Sequence, residues 1–351
     1  QQREDPLDAK VKDQHHRQDH HGRERQYSRH QYARRLLPGN LSFPAGEHRQ
    51  LWVQVQTDDL DPGVHEFSLR LRGVDGDTAV EIPIRLHVWD FTLPDRMPVA
   101  VFNWDYRVRS LKGKALRKHL QAMVEHGVNV FHINGGPKVV CNAEGELLEE
   151  PDFSGWNELI ALEKPYARMF LFENWQFRGR PFETPDGEEI EYLSEPWKRA
   201  FESWLTKFVD YTRSRGLGYE QWAFYPFDEH IGPKFIALGE EIRRIDPQIL
   251  IFTDRVETAE ETAAAAPYAD IWCPVDQYFN EEHAEALEIA YESGKPVWFY
   301  FCGRHQKAML PLERYRVMGW KTFARDLDGC TYWNIFGRNG STWNDFDGEH
   351  P

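Results

Sequence analysis

From Val99 onward, apolar segments of strand length alternate with amphipathic segments of helix length. This order constrains the chain more than any other feature, because parallel neighbours in a sheet each need a crossover connection, usually a helix. The strand segments are 99–106, 128–134, 167–174, 221–229, 249–254, 270–278, 297–303 and 330–336. Between them the helical period is plain in 112–126, where Leu116, Leu120 and Met123 share one face. It recurs in 194–215, where Trp197, Phe201, Leu205 and Phe208 do the same. Eight strands with helices between them over about 250 residues predict the α/β class and a (β/α)8 barrel of the TIM type.

The segment ahead of the barrel follows a different rule. In 40–93, Val53 and Val55 alternate with Gln54 and Gln56, and Phe67, Leu69 and Leu71 alternate with Ser68, Arg70 and Arg72. Ile82, Ile84, Leu86 and Val88 continue the period of two, which predicts strands with one wet face. Asp61-Pro62-Gly63 and Asp75-Gly76 supply the turns. The expected organisation is a polar linker or poorly ordered segment over 1–37, β-sandwich strands over 38–95 and a catalytic barrel over 96–351. Three or four strands do not complete a sandwich, and 337–351 is short and polar for a closing helix. The expectation is therefore that earlier sandwich strands are absent from this sequence, and that at the other end either the chain is truncated or something else covers that edge.

Composition narrows the partners. Against 42 basic residues stand 57 acidic ones, a net charge of -15, which argues against a chain built to neutralise nucleic-acid phosphates. No apolar run reaches the roughly 20 residues of a membrane span, and the first residues have no signal-peptide pattern. Cys141, Cys273, Cys302 and Cys330 form no metal-type spacing and read as small buried hydrophobes. His15, His16, His20 and His21 have helical i, i+4 spacing but no carboxylate or cysteine frame, so they read as a solvated segment, with no metal and no cofactor expected.

In such a barrel the site lies at the carboxyl ends of the strands. Those ends carry Trp104 and Asp105 on strand one, Asn174 on strand three, Asp228 and Glu229 on strand four, Asp276 and Tyr278 on strand six and Tyr300 on strand seven. Strand eight brings Trp333 and Asn334, with Trp343 and Asp345 beyond. Rings mixed with carboxylates and amides suit an oligosaccharide or glycoconjugate, whose C–H faces stack while its hydroxyls bond. Asp254 and Asp276 also fit helix N-caps.

The sharpest local feature is Tyr225-Pro226-Phe227-Asp228-Glu229-His230. Adjacent residues of a regular strand face opposite ways, so the two carboxylates share a pocket only if the strand ends early; Pro226 and Gly232-Pro233 make that plausible on sequence grounds. Two such neighbours push each other's protonation, so that one stays ionised and the other can act as an acid. A retaining glycosidase with its own nucleophile needs a second carboxylate about 5 to 5.5 Å from the acid, and the strand-seven segment ProValTrpPheTyrPheCysGlyArgHis contains none. Two routes stay open: inversion with Asp276 or Asp345 as base, or attack by a 2-acetamido oxygen of the sugar itself. A non-catalytic carbohydrate-binding barrel is the reading from another class.

These segments together resemble glycoside hydrolase family 123 and its wider sandwich-plus-barrel relatives. The resemblance covers about residues 38–348 and rests on Leu51-Trp52-Val53, on Val88-Trp89-Asp90-Phe91-Thr92-Leu93-Pro94 running straight into the barrel, on Tyr225-x-x-Asp228-Glu229, and on Tyr332-Trp333-Asn334 leading to Trp343-Asn344-Asp345. It implies an exo-acting β-N-acetylhexosaminidase, GalNAc favoured, working by substrate-assisted retention. It also implies that Asp228 supports the acetamido group and Glu229 is the acid/base. Where many relatives continue Asp-Glu-Pro, this chain has His230.

Overall fold

In the computed structural model the described residues are 55, 57, 60–72, 79–94, 96–106, 108–302 and 317–334, with the paired segments Tyr32–Ala33 and Gln50–Leu51. The expectations for the histidine cluster, for Trp343 and Asp345, and for the Asp75-Gly76 turn lie outside them, as does the side chain of Asn334. The chain divides into two compact units, Gln1–Leu93 and Pro94–Pro351. In the first, Gly63–Arg72 and Ala79–Val88 pair antiparallel, with Phe67 opposite Ile84 and Leu69 opposite Ile82. The expected alternation is present in this hairpin, although Phe67 and Ile82 remain exposed.

The second unit is the barrel. Its strands are Ala100–Trp104, Val130–Asn134, Met169–Glu173, Trp222–Tyr225, Leu250–Thr253, Ile271–Trp272, Trp298–Phe301 and Gly329–Asn334. Each falls inside, or within a residue of, an apolar segment of the sequence. Strands two to six form one parallel ladder, and seven, eight and one form another, so the last strand pairs with the first. Parallel bridges from Trp272 to Val297 and from Val275 to Tyr300 join six to seven. Between one and two, Asn129 substitutes for ladder bonds. Its backbone N–H donates to the Val101 carbonyl at 3.0 Å, its Oδ1 accepts from the Val101 N–H at 2.9 Å, and its Nδ2 donates to the carbonyls of Met97 and Val99.

A helix follows each of the first seven strands: Gly113–Glu125, Asn157–Glu163, Glu195–Ser214, Pro233–Ile245, Ala259–Ala265, Ala284–Glu292 and Val317–Ala324. Their apolar faces dock as the periodicity requires, with Trp197, Phe201, Trp204, Leu205 and Phe208 of the third helix wholly buried. The barrel interior is unusually aromatic: Phe252 lies 5.9 Å from Phe102, 5.8 Å from Trp298 and 4.8 Å from Tyr225 between ring centroids. Such rings fill an interior more often occupied by branched aliphatics. They also demand a gap, because a Cβ on Gly329 would stand 2.7 Å from the Trp298 ring.

Strands four and six end well before their apolar segments do. Strand four stops at Tyr225 because Pro226 has no N–H to continue the ladder, and strand six stops at Trp272 just before Pro274. Three of the four cysteines are buried as expected; Cys302 is exposed.

Candidate active site

Strand four delivers the pair. Tyr225 is its last residue and lies in register with Glu173, the last residue of strand three. Beyond it the chain turns, and Glu229 takes φ +51°, the left-handed region that L side chains rarely adopt. This departure from extended geometry frees the two carboxylates from the opposite-face rule of a strand. The turn is held from strand five, where Asp254 Oδ1 accepts the Glu229 backbone N–H at 2.8 Å.

Further contacts from neighbouring strands and loops fix the side chains. The Tyr225 hydroxyl lies 2.7 Å from Asp254 Oδ2 and 3.2 Å from Asp228 Oδ1. Arg178 donates to the Asp228 carbonyl at 2.8 Å and stands 3.5 Å from Asp228 Oδ2. From strand seven, the Tyr300 hydroxyl donates to Glu229 Oε1 at 2.7 Å. Glu173, 2% exposed, is satisfied by His132 Nε2 at 3.0 Å and Trp175 Nε1 at 2.7 Å and forms an anionic wall beside Asp228. Arg255 lies over the Tyr278 ring and pairs with Glu257 at 2.5 Å.

Burial decides the protonation pattern. Among the described residues Asp254, which is 2% exposed, has no cation against it, and burial pushes its carboxyl up to about 8, with the nearby Asp228 charge adding to the effect. Burial also raises Asp228, opposed chiefly by Arg178 and helped by Glu173 and Glu229. Tyr225 and Tyr300 are raised by burial and then by Asp254, so both keep their protons. Asp254 thus joins the two carboxyl groups of the local motif, with Glu173 beside Asp228.

The other residues expected at the site are distributed as follows. Trp104 is buried in the barrel interior, its ring 5.1 Å from that of Tyr300. Asp105, expected to meet substrate, is engaged elsewhere: one oxygen accepts from the Val108 N–H and the other bonds His119 at 2.5 Å. Asp276 is likewise engaged, by Lys321 at 2.7 and 2.8 Å and by Arg325 at 2.8 Å. Asn174 caps a single turn by accepting from the Gln176 N–H, and its Nδ2 is buried without a partner. Tyr278 stacks on His283 at 4.3 Å, and Trp333 is half-buried. Neither Asp254 nor Asp276 is a helix N-cap, since those positions belong to Thr258 and Val275.

Sequence reasoning missed the parts of Asp254 and Arg178. For Asp254 a signal existed, because Thr258-x-x-Glu261 is a capping box that already starts the following helix and leaves Asp254 without that task. Arg178 follows a single turn after strand three, and nothing local distinguishes it.

Among the described residues no group of His, Cys, Asp and Glu is arranged to hold a metal ion, and no helix is long and apolar enough to cross a membrane. No family model and no curated protein matches the chain. Solved structures similar to it include an endo-1,4-beta-D-mannanase from Thermotoga petrophila RKU-1, at 15% identity over 73% of this chain and 93% of that one, with a TM-score of 0.47. The endoglucanase Cel5A of Pseudomonas stutzeri is 13% identical over 63% and 75%, with a TM-score of 0.40. A GH5 family lichenase from Caldicellulosiruptor sp. F32 is 10% identical over 64% and 75%, also at 0.40. Such identities say nothing about the side chains at the strand ends, and the chemistry has to be read from the site itself.

Proposed function

We propose that the chain is a glycoside hydrolase, and specifically a β-N-acetylhexosaminidase that uses the substrate's own acetamido oxygen as nucleophile. The observation that carries the reading is the turn after strand four, which sets Asp228 and Glu229 side by side, with Tyr300 rather than a carboxylate reaching them from strand seven. In the proposed reaction the acetamido oxygen attacks the anomeric carbon, the glycosidic bond breaks, and Glu229 gives its proton to the departing oxygen. Asp228 holds the acetamido N–H and offsets the positive charge that develops on the ring formed. Water then attacks the same carbon, the bond to the acetamido oxygen breaks and the acetamido group is regenerated, while Glu229 takes the water's proton, which restores the enzyme. Because Tyr300 occupies Oε1, the proton is delivered from Oε2.

Two features weigh against an enzymic nucleophile or an inverting base. Asp254 is close to the pair but buried, with one oxygen on the Glu229 N–H and the other on Tyr225. Asp276 would have to give up Lys321 and Arg325 before it could activate water. On this reading the hairpin of the first unit is the end of the sandwich module that the sequence resemblance implies.

Turnover of nitrophenyl β-glycosides of GalNAc, GlcNAc, galactose and glucose tests the proposal. The 2-acetamido sugars should be hydrolysed and the plain hexosides should not. Equal or better turnover of the plain hexosides would exclude an acetamido nucleophile, and binding of the sugars with no turnover of any substrate would favour a carbohydrate-binding barrel.

A further inference from the structure

The Tyr225 hydroxyl carries one proton but lies within hydrogen-bonding distance of two carboxyl groups, Asp254 at 2.7 Å and Asp228 at 3.2 Å. If both were ionised, one of these contacts would set a hydroxyl lone pair against an anionic oxygen. A second proton, carried by one of the two carboxyl groups, resolves the count. We propose that Asp254 is the positioning residue of the pair: its Oδ2 keeps a proton and donates it to Tyr225, Tyr225 donates to Asp228, and its Oδ1 holds the Glu229 backbone N–H. One buried side chain then both keeps Asp228 an ionised acceptor for a substrate N–H and fixes the turn that aims Glu229. The inference rests on the reading of Asp228 and Glu229 given above.

The surroundings agree. Facing Asp254 are Tyr225 from strand four, Asp228 and Glu229 from the turn after it, Cys273 and Tyr278 after strand six and Tyr300 from strand seven. Among the described residues, the cations nearby are engaged by other carboxylates, Arg178 by Asp228 and Arg255 by Glu257. An acid in such a place keeps its proton at neutral pH. When it does ionise, near pH 8, the Tyr225 proton is drawn to it and Asp228 loses its donor.

Asparagine is the isostere of the protonated acid: its oxygen can accept from the Glu229 N–H while its amide donates to Tyr225. Asp254→Asn should therefore keep kcat/KM within about threefold of the parent at pH 6 on an aryl 2-acetamido glycoside. It should also lack the fall in kcat/KM that the parent shows as pH rises through about 8. Asp254→Ala, checked for folding by circular dichroism, should lose about 10²-fold or more, because it can neither donate nor accept. A folded Asp254→Asn as impaired as Asp228→Asn would overturn the inference, since it would mean that a carboxylate is required. A measurement independent of turnover is carbon-13 NMR of the aspartate carboxyl groups. The parent should show one carboxyl titrating near pH 8 that disappears in Asp254→Asn, and its absence from the parent would also overturn the inference. Full activity in Asp228→Asn and Glu229→Gln would instead refute the hydrolase roles, while the NMR titration would still decide the protonation of Asp254.

Discussion

Glu229 holds a left-handed backbone, φ +51°, without being glycine or asparagine. Such a conformation costs about 1 to 3 kcal/mol and persists only where the surroundings impose it, here through Asp254. If Glu229 is the acid, Glu229→Gln should lower kcat/KM about 10²- to 10⁴-fold on a natural glycan, and much less on a nitrophenyl glycoside whose leaving group needs no proton. Asp228→Asn should lose similar amounts on both substrates, since the nucleophile must be held whatever departs. Measuring the two variants on one activated and one unactivated substrate checks the assignment, and a stronger leaving-group dependence for Asp228→Asn would reverse it. Tyr300→Phe should cost about tenfold in kcat, the equivalent of one hydrogen bond of about 1.4 kcal/mol; unchanged kcat would remove Tyr300 from the acid's support. The pair itself was legible in the sequence because its adjacency, Pro226 and Gly232-Pro233 are all local. What could not be read was which tip carboxylates were already engaged. Asp105 meets His119, and Asp276 meets Lys321 and Arg325 of the helix after strand seven, partners that only the fold brings near.

At the scale of elements, the seam between strands one and two depends on a single side chain. Asn129 makes three bonds from its amide to backbone groups of the segment that enters strand one. Asn129→Ala would leave those groups without their partners and should destabilise the chain by about 2 to 4 kcal/mol. Urea unfolding against the parent checks this, and a change under about 0.5 kcal/mol, the range of ordinary surface substitutions, would mean that the seam is closed by other means. The strand and helix order was legible because apolar runs and amphipathic faces are set locally. The lengths of strands four and six were not, since both runs continue past the prolines that end their ladders. Asn129 looked unremarkable in sequence, because its partners come from the preceding strand.

For the whole molecule, the raised Asp254 carboxyl links folding to pH. Its pKa in the folded protein is about 8, against an ordinary 3.8, so across that interval the folded state binds more protons than the unfolded one. This contribution to stability is fully present below about pH 3.8 and is lost progressively up to about pH 8. Thermal unfolding of the parent and Asp254→Asn from pH 5 to 8 should show the parent losing Tm relative to the variant; parallel curves would contradict the assigned protonation. The eight-fold alternation of the barrel could be read from one sequence because each of its units is set locally and repeats from Val99 onward. The approach of Asp254 to the pair could not, because it depends on the pairing of strand four with strand five. The proposed chemistry is tested most directly by early-time proton NMR of the sugar released from a β-linked 2-acetamido glycoside, before the anomers equilibrate. Substrate-assisted attack followed by water inverts the anomeric carbon twice, so the β-anomer should appear first; initial release of the α-anomer would contradict it and indicate a single displacement by water.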